Sequence, residues 1–391
     1  MFHIKTYNKI SPLGLSQFPS DFYQVSEAEE QPIGIILRSQ KLHDEVLPDS
    51  VQAIARAGAG TNNIPTADYT QKGIVVFNTP GANANAVKEL VLAGLLLSSR
   101  GIVQGRDFVN TLTDITESDV MSKLLEKEKK RFAGNELFNK TLGIVGLGAI
   151  GSLVAEIALS LGMKVVGYDP ALSVEAAWRL PAQVERMESM EQLMGQVDFI
   201  TLHVPAIPAT HHLINEDNLQ LLKPTAVILN FARAAIVDSE AVKVALDNNR
   251  LGLFVCDFPE PWLLNSEKVI ALPHIGASTA EAEENCAVMA VTQMRDFLEH
   301  GNIKNSVNYP ATDMPRNPSA AVRLTFSNKN QPGVLGDVLS IMADNNINVL
   351  DMVNKSRDEV AYNILDLGEM PANTVLEALE NIDAIMTIRV I

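Results

Sequence analysis

Short apolar runs recur along the first ~80 residues and alternate with more polar segments. The runs GIILR (34–38), VQAIARAG (51–58) and GIVVFN (73–78) have the length and the branched side chains of buried strands. A helical stretch, AVKELVLAGLLLSSRGIVQGRDF, follows from Ala86. Strands that alternate with helical segments form parallel sheets covered by helices, so this pattern predicts an α/β lobe.

From Lys140 the alternation becomes regular and predicts a complete doubly wound domain. Six apolar runs of strand length are separated by helix-length segments: LGIVG, MKVVGYD, VDFITLHVP, TAVILNFA, LGLFVCD and KVIALP. Six strands are the number found in a Rossmann-type dinucleotide-binding domain. The segment that follows, TAEAEENCAVMAVTQMRDFLEHG, predicts one long helix that stops at Gly301 and returns the chain to the first lobe.

The last part of the chain predicts a linker and a small third domain. Residues 301–319 contain three prolines and several asparagines and have little apolar content, as a linker does. Residues 320–391 then follow the order β-α-β-β-α-β of a ferredoxin-like unit. The predicted fold class is α/β, with a Rossmann-type doubly wound parallel sheet, a flavodoxin-like lobe and a C-terminal ferredoxin-like (βαββαβ) domain. The predicted bounds are 1–92 (completed by 286–310), 93–285 and 320–391.

The acidic composition argues against a nucleic-acid partner. The 391 residues carry a net charge of −16, whereas binding to phosphate backbones needs a basic face. Two cysteines are too few for a disulfide framework, and the N-terminus MFHIKTYNKI lacks the apolar core of a signal peptide. The longest apolar runs, such as LVLAGLLL (90–97), are too short for a membrane span. A cytoplasmic protein without a membrane partner is expected.

A glycine-rich turn predicts a nucleotide site. Gly146, Gly148 and Gly151 form G-x-G-x-x-G after a strand and at the start of a helix, and Asp169 follows ~20 residues later. The three glycines suit a tight turn, close approach of a pyrophosphate and close helix packing. Asp169 can accept hydrogen bonds from ribose hydroxyls and would repel a 2′-phosphate, which favours NAD over NADP. The alternative is a βα turn that binds nothing.

Polar residues follow the ends of three further strands. Arg233 follows TAVILN, Asp257 and Glu260 follow LGLFVC, and His274 follows VIALP. An imidazole accepts a proton near neutral pH, a carboxylate orients it, and a guanidinium grips a substrate carboxylate with two hydrogen bonds. This set suits hydride chemistry on a 2-hydroxy acid.

Other roles for the histidines remain open. A lone histidine after a strand, as His274 is, is more often structural than catalytic. His203, in TLHVP, also stands at a strand end and is more typical of a nucleotide-site wall than of a catalyst. His211 and His212 are adjacent, so their side chains are expected to diverge, and we interpret them as loop residues. No further ligands stand at a suitable spacing, so no metal is predicted.

These motifs resemble those of the D-isomer-specific 2-hydroxyacid dehydrogenases. The matching pieces span roughly residues 35 to 300: RAGAGTNNI, NTPGANANAVKELV, KTLGIVGLGAIG, TLHVP, LNFARAAIVD, DFPEP and LPHIGAST. The resemblance implies that Arg233 binds substrate, that Glu260 supports the histidine and that His274 is the acid–base group. It also implies that the N-terminal lobe and the return helix form a substrate-binding domain whose cleft closes over substrate.

The resemblance extends to the binding residues. Together with the glycine motif it predicts an NAD site formed by Gly146, Gly148, Ala149, Ile150, Gly151, Asp169, His203, Val204, Pro205, Ala232, Asp257, Gly276 and Ala277. For a phosphorylated substrate it implies Arg38 and Arg56 at the phosphate, the backbone N–H groups of Ala59 and Gly60 at the carboxylate, and Asn83 nearby.

The C-terminal segment NKNQPGVLGDVLSIMADNNINVLDM looks like an ACT domain, a regulatory unit that binds amino acids. The resemblance implies that Asn330 and Asn348 hold an effector such as L-serine. Asn328 stands where serine-binding members sometimes have histidine. ACT units usually pair edge to edge, so a homo-oligomer (dimer or tetramer) is expected.

The chain departs from the family pattern at two points. Ala234 follows Arg233 where A-R-G is common, and DFPEP (257–261) is two residues shorter than D-V-F-x-x-E-P. Glu260 is therefore the only carboxylate left to support His274.

The favoured function is NAD-dependent oxidation of a phosphorylated 2-hydroxy acid at the first step of L-serine synthesis. One alternative is a dehydrogenase for lactate, glyoxylate, 2-oxoglutarate or hydroxypyruvate, which would leave Arg38 and Arg56 nothing to hold. Another is a non-enzymatic NAD-sensing protein, against which the retained Arg233, Glu260 and His274 argue.

Overall fold

The computed structural model of the protein describes residues 1–264 and 266–391. The strands within these residues are β1 Phe2–Thr6, β2 Tyr23–Ser26, β3 Gly34–Leu37, β4 Ala53–Arg56, β5 Val75–Phe77, β6 Thr141–Val145, β7 Lys164–Tyr168, β8 Glu185–Arg186, β9 Phe199–Leu202, β10 Val227–Asn230, β11 Leu253–Cys256, β12 Val269–Ala271, β13 Val322–Lys329, β14 Val349–Arg357, β15 Val360–Leu367 and β16 Ile385–Val390.

The α-helices are α1 Pro12–Leu15, α2 Thr66–Gln71, α3 Ala84–Ser99, α4 Ile102–Asn110, α5 Ser118–Glu128, α6 Ala149–Ser160, α7 Val174–Ala177, α8 Met190–Met194, α9 Glu216–Leu219, α10 Ser239–Asp247, α11 Ala280–His300, α12 Val334–Asp344 and α13 Asn373–Glu380. Short 3-10 helices cover Lys129–Phe132, Pro208–Thr210, Ala234–Ile236 and Pro261–Leu263. Among the described residues, no helix has both the length and the apolar character that crossing a bilayer requires.

The chain divides into two compact units, which we call the nucleotide unit (residues 84–279) and the composite unit (residues 1–83 and 280–391). The nucleotide unit holds a parallel seven-stranded sheet in the order β12-β11-β10-β9-β6-β7-β8. This confirms the six predicted strands. The seventh strand, β8, has two exposed residues and pairs only with β7, so it leaves no apolar run in the sequence.

The composite unit holds the predicted flavodoxin-like sheet, which is parallel with the order β2-β1-β3-β4-β5. The three strands expected from apolar runs are β3, β4 and β5. The helix α11 is continuous to His300, as predicted, and Gly301 follows with φ +75°. Its residues Ala290, Met294 and Phe297 belong to the same buried core as Ile4 of β1. The long helix therefore completes the first sheet's core.

The antiparallel β14-β15-β13-β16 sheet, here the ACT sheet, confirms the βαββαβ prediction. One face packs on α12 and α13, where Leu324 and Leu365 meet Val338 and Leu379. The opposite face carries Tyr362 and Ile364, which lie in one core with α11 and the parallel sheet. The ACT sheet thus shares a core with the first lobe through this face.

The predicted linker, residues 301–319, forms no helix or strand but is packed rather than free. Asn308 is 9% exposed, and its amide accepts from Val76 N (2.8 Å) and donates to Ile74 O (2.9 Å). Arg323 of the ACT sheet reaches back to Met314 O at 2.9 Å. The asparagines that favour a linker in the sequence are here partners for buried backbone groups.

Candidate active site

The glycine-rich turn between β6 and α6 has the geometry its sequence predicts. Gly146 has φ +90°, and a Cβ there would stand 2.6 Å from the carbonyl oxygen of His203. A Cβ at Gly151 would stand 2.0 Å from the Gly146 oxygen. A Cβ at Gly148 would meet no protein atom within 4 Å. The protein's own packing therefore explains two of the glycines, whereas the third borders open space.

That open space lies at the N-terminus of α6, which Gly148 caps without a side-chain hydrogen bond. A 12-residue helix concentrates partial positive charge and free N–H groups at this end, where a pyrophosphate binds well. Asp169, after β7, accepts from Leu147 N (2.8 Å) and from Ala171 N (3.0 Å). Each carboxylate oxygen has a second acceptor site, so Asp169 can still receive ribose hydroxyls. A dinucleotide fits these residues.

The order of the parallel strands brings the other predicted residues to one sheet edge. Strands β12, β11, β10 and β9 are consecutive neighbours. His274, Glu260, Arg233 and His203 follow their carboxyl ends, and neighbouring strands are ~4.8 Å apart. The expectation that these strands end at one edge is confirmed.

The segment that carries His274 is held by Asp257. Asp257 is 1% exposed, and its two carboxylate oxygens accept from Ile275 N (2.8 Å) and Gly276 N (2.6 Å). His274 itself has φ +56°, a left-handed conformation that is unfavourable for a residue with a Cβ. Its exposed ring packs on Phe258 with centroids 4.8 Å apart. Buried hydrogen bonds thus fix the backbone while the imidazole stays accessible.

Glu260 does not contact His274 as the resemblance implies. Its Oε2 accepts from Ser239 Oγ and from Trp262 Nε1, each at 3.2 Å. No hydrogen bond joins Glu260 to His274 within the described part of the chain. Prolines flank Glu260 in the shortened DFPEP connection, and they limit the backbone conformations that could aim the carboxylate elsewhere.

Arg233 is exposed, and its backbone is fixed by a residue that sequence reasoning did not single out. Asn230, the last residue of β10, is 1% exposed. Its amide donates to Arg233 O (2.8 Å) and accepts from Ala232 N (3.1 Å). The guanidinium donates to Ala232 O at 2.6 Å. The sequence did contain a signal for this role: Asn230 ends an otherwise apolar strand, and a buried side-chain amide must find hydrogen-bond partners nearby.

His203 is held neutral at the end of β9. Its Nε2 lies 3.0 Å from Thr201 Oγ1, and burial lowers its pKa to about 3. An imidazole that stays uncharged near neutral pH is a poor proton acceptor there, so His203 suits the wall of a nucleotide site better than catalysis. Val204 and Pro205 follow it directly in the chain.

His211 and His212 lie in a loop, as interpreted, but the expectation that their side chains diverge is wrong. The two rings stack with centroids 4.0 Å apart. His212 has φ +48°, and this left-handed residue breaks the alternation that would separate adjacent side chains.

Two arginines of the composite unit form a basic cluster. Arg56 donates from Nε to Arg38 O at 3.1 Å, and its guanidinium lies over Gly58, where a Cβ would stand 2.7 Å from Nη1. Arg38 Nη1 forms an ion pair of 2.6 Å with Glu283 of α11. Burial raises the pKa of the neighbouring Cys286 thiol, and both guanidiniums act against that rise. The cluster suits an anionic group.

Of the remaining residues predicted for substrate, Ala59 and Gly60 follow Arg56 closely in the chain. Ala59 O accepts from Asn78 Nδ2 at 2.6 Å, which fixes the turn that contains Gly60. Asn83 is half-buried at the end of this stretch.

The ACT asparagines are not brought together within one chain. Asn328 is buried, donates to Lys329 O (2.7 Å) and accepts from Asn363 Nδ2 (2.8 Å). Asn330 follows β13, whereas Asn348 precedes β14, and both strands run antiparallel to β15. Asn330 lies level with Glu359 and Asn348 with Gly368, so nine residue steps at ~3.3 Å each place them about 30 Å apart along the strands, at opposite ends of the ACT sheet.

Comparison with known proteins agrees with this geometry. The profile "D-isomer specific 2-hydroxyacid dehydrogenase, NAD binding domain" matches residues 99–276, and "ACT domain" matches residues 322–384. A D-3-phosphoglycerate dehydrogenase of Haemophilus influenzae is 32% identical over 344 residues, 85% of this chain and 79% of that protein. One from Synechocystis is 38% identical over 285 residues, 71% of this chain and 49% of that protein.

A hydroxypyruvate reductase of Thermotoga maritima is 36% identical over 64% of this chain and 78% of that protein. Among solved structures, NAD+-bound 3-phosphoglycerate dehydrogenase of Entamoeba histolytica superimposes with a TM-score of 0.63 and 27% identity, covering 78% of this chain and 98% of that one. The chain spans about half the length of the Synechocystis relative and of a Methanocaldococcus jannaschii one. The chain belongs to the D-isomer-specific 2-hydroxyacid dehydrogenase family and joins that family's NAD-binding domain to an ACT domain.

Proposed function

We propose that the protein is an NAD-dependent D-3-phosphoglycerate dehydrogenase, which forms 3-phosphohydroxypyruvate at the first step of L-serine synthesis. The observation that carries this is the Arg38–Arg56 cluster, because it offers two guanidiniums to an anion beyond the carboxylate that Arg233 can bind. The names of the Haemophilus and Synechocystis relatives support the same substrate.

The nucleotide unit supplies the cofactor site. The α6 N-terminus and Gly148 would hold the pyrophosphate, and Asp169 would hold the adenosine ribose. His203 and Gly276 would line the nicotinamide side. NAD held there would supply the acceptor for the hydride that leaves C2 of the hydroxy acid. We propose that the carboxylate of Asp169 makes the site selective against NADP.

The chain's own groups then handle the proton and the charges. His274 accepts the proton of the C2 hydroxyl, for which its exposed ring is available. Arg233 leaves Ala232 O and pairs with the substrate carboxylate and the C2 oxygen. Glu260 supports the resulting imidazolium once its carboxylate exchanges the Trp262 hydrogen bond for His274. Arg38 and Arg56 bind the phosphate, and the N–H groups of Ala59 and Gly60 bind the carboxylate beside Asn83.

The test is the rate of NADH oxidation with 3-phosphohydroxypyruvate, compared with glyoxylate, pyruvate, hydroxypyruvate and 2-oxoglutarate. We expect kcat/KM to be at least ~10-fold higher for the phosphorylated acid, which corresponds to about 1.4 kcal/mol of transition-state binding. Hydroxypyruvate is the second candidate substrate, because a Thermotoga relative is named a hydroxypyruvate reductase. A preference for it would refute the phosphorylated substrate but would leave the proposed hydride-transfer mechanism in place. In that case, replacing Arg38 and Arg56 would leave KM almost unchanged.

We also propose that the protein is a homo-oligomer, a dimer or tetramer, in the cytoplasm. Helices α4 and α5 bury none of their residues, and they expose Ile102 (42%), Val109 (46%) and Val120 (54%). The edge strand β14 is also largely exposed. A partner chain would cover these surfaces and bring its Asn348 to Asn330, where L-serine is the proposed effector. Native mass by light scattering tests the assembly, and the rate with added L-serine tests the effector.

A further inference from the structure

A cavity of about 200 Å³ lies inside the composite unit, between the parallel sheet and the ACT sheet. The segment before β4, the α2–β5 turn, α11 and strand β16 all contribute to its wall. Its wall includes Asp49, Gln52, Lys72, Phe297 and Arg389. A second, more open cavity of about 580 Å³ shares Gln52 and Arg389 with the first and also borders Ile391.

Gln52 lines both cavities, and its side chain carries a buried acceptor without a partner among the described residues. Its Oε1 is buried and has no hydrogen-bond partner in the structure, which describes all residues but 265. Its backbone is committed to the sheet through Ile33 O and Val75 N. A buried carbonyl oxygen without a donor is costly, so a ligand that supplies an N–H group there gains affinity from a group the protein has already desolvated.

Arg389 presents a cation without a counter-ion. Its guanidinium donates to Phe297 O (3.1 Å) and Leu298 O (3.0 Å) and lies 4.2 Å from the Phe297 ring centroid. No carboxylate of the described residues forms an ion pair with it. Burial lowers its pKa, as expected of a charge removed from water without an anion. The charge favours an anionic group in the cavity.

The outer wall adds one charge of each sign, since Asp49 and Lys72 are exposed residues at the same cavity. For a cationic group the wall offers the amide oxygen of Gln52 and the carboxylate of Asp49. For an anionic group it offers the guanidinium of Arg389 and the ammonium of Lys72. A compact molecule that carries both charges matches this set, and a volume of about 200 Å³ admits one of small size.

We propose that this cavity binds a small zwitterionic α-amino acid, with its carboxylate at Arg389 and its ammonium at Gln52 Oε1 and Asp49. The site differs from the one proposed at Asn330 and Asn348, because it joins the ACT sheet to the parallel sheet within one chain. Gln52 immediately precedes β4, whose last residue is Arg56. A ligand that holds Gln52 and β16 together would therefore change the position of Arg56 in the proposed phosphate-binding cluster.

Thermal unfolding of the full chain tests the proposal without relying on turnover, so failure here leaves the proposed activity untouched. Glycine, L-alanine and L-serine are the probes, with acetate and ethylamine as single-charge controls. We expect a saturable rise in Tm with at least one amino acid and none with either control. The absence of any saturable rise, or an equal rise with acetate, would overturn the proposal.

Two substitutions assign the response to this cavity. Gln52→Leu removes the orphan oxygen, so we expect unchanged or higher Tm without ligand and loss of the amino-acid response. Gln52→Glu supplies Arg389 with an internal anion, so we expect higher Tm and the same loss. Gln24→Leu, at an exposed position of β2, is the matched control and should keep the response. If the response survives both Gln52 variants or vanishes in Gln24→Leu, the proposal is wrong.

Discussion

The ion pair between Arg38 and Glu283 occupies a guanidinium that we assign to the substrate phosphate. Glu283 Oε1 lies 2.6 Å from Arg38 Nη1, and 44% and 40% of the two side chains are exposed. If the phosphate binds Arg38, it must displace this carboxylate. Replacing Glu283 with Gln keeps the shape of the side chain and removes the competing charge. We therefore expect Glu283→Gln to lower KM for 3-phosphohydroxypyruvate.

The size of the effect follows from the exposure of the pair. Ion pairs with this degree of solvent access contribute about 0.2–1 kcal/mol, because water and salt screen them. Removing a competitor of that strength lowers KM by about 1.4-fold to about 5-fold. The proton and hydride steps do not involve Glu283, so kcat should stay the same. Added salt should shrink the difference, since it weakens the pair in the parent protein as well.

Initial rates at varied 3-phosphohydroxypyruvate and saturating NADH provide the measurement. The matched control is Glu281→Gln, which removes the same charge from the same turn of α11 at an exposed position. A fall in KM confined to Glu283→Gln supports the assignment of Arg38. An unchanged or higher KM in Glu283→Gln, or an equal fall in both variants, would refute it.

Three further outcomes are expected. Asp366→Asn should lower the free energy of unfolding by about 3–5 kcal/mol, because it leaves the buried guanidinium of Arg323 (1% exposed, 2.7 Å from Asp366) without its counter-ion. Asp247→Asn, which breaks an exposed ion pair, is the control and should cost about 0.5 kcal/mol. Similar losses for the two variants in chemical denaturation would contradict this. Burial lowers the pKa of His203 in the folded protein, so on acidification the unfolded chain takes up this proton first and the free energy of unfolding falls below pH ~6.5. His203→Gln should therefore lose less stability than the parent between pH 7 and pH 4. An equal loss would exclude His203 as the cause. His274→Ala should reduce kcat about 10²- to 10⁴-fold while NADH binding, followed by fluorescence, persists; full turnover would remove His274 from the mechanism.

Local patterns were sufficient for much of the fold. The six strands of the nucleotide unit and the turn at Gly146 and Gly151 depend on apolar runs and on the spacing of glycines after a strand, which are visible in the sequence. The strand β8 escaped prediction because two exposed residues have no period. The stacking of His211 on His212 escaped because a single left-handed residue reverses the expected side-chain direction.

Details of the candidate site were less accessible. Glu260 bonds to Ser239, 21 residues away, and not to the histidine that the family pattern suggests. Asp257 restrains the backbone beside His274, 18 residues away, although its position in the chain indicated a cofactor contact. Such pairings depend on which loops the sheet order brings together, and the two prolines of the shortened loop restrict the directions in which Glu260 can point.

The sequence by itself determined most of the elements, their parallel or antiparallel class and the residue types at the strand ends, because these follow from periodicity and from backbone preferences of neighbouring residues; β1, β2 and β8 were not predicted. Only the tertiary structure decided which of those residues have partners. Arg38 meets Glu283 across 245 positions, and Arg389 reaches the α11 carbonyls without an anion. Contacts over such separations are fixed by the packing of whole sheets and helices, which leaves no mark on any short stretch of the chain.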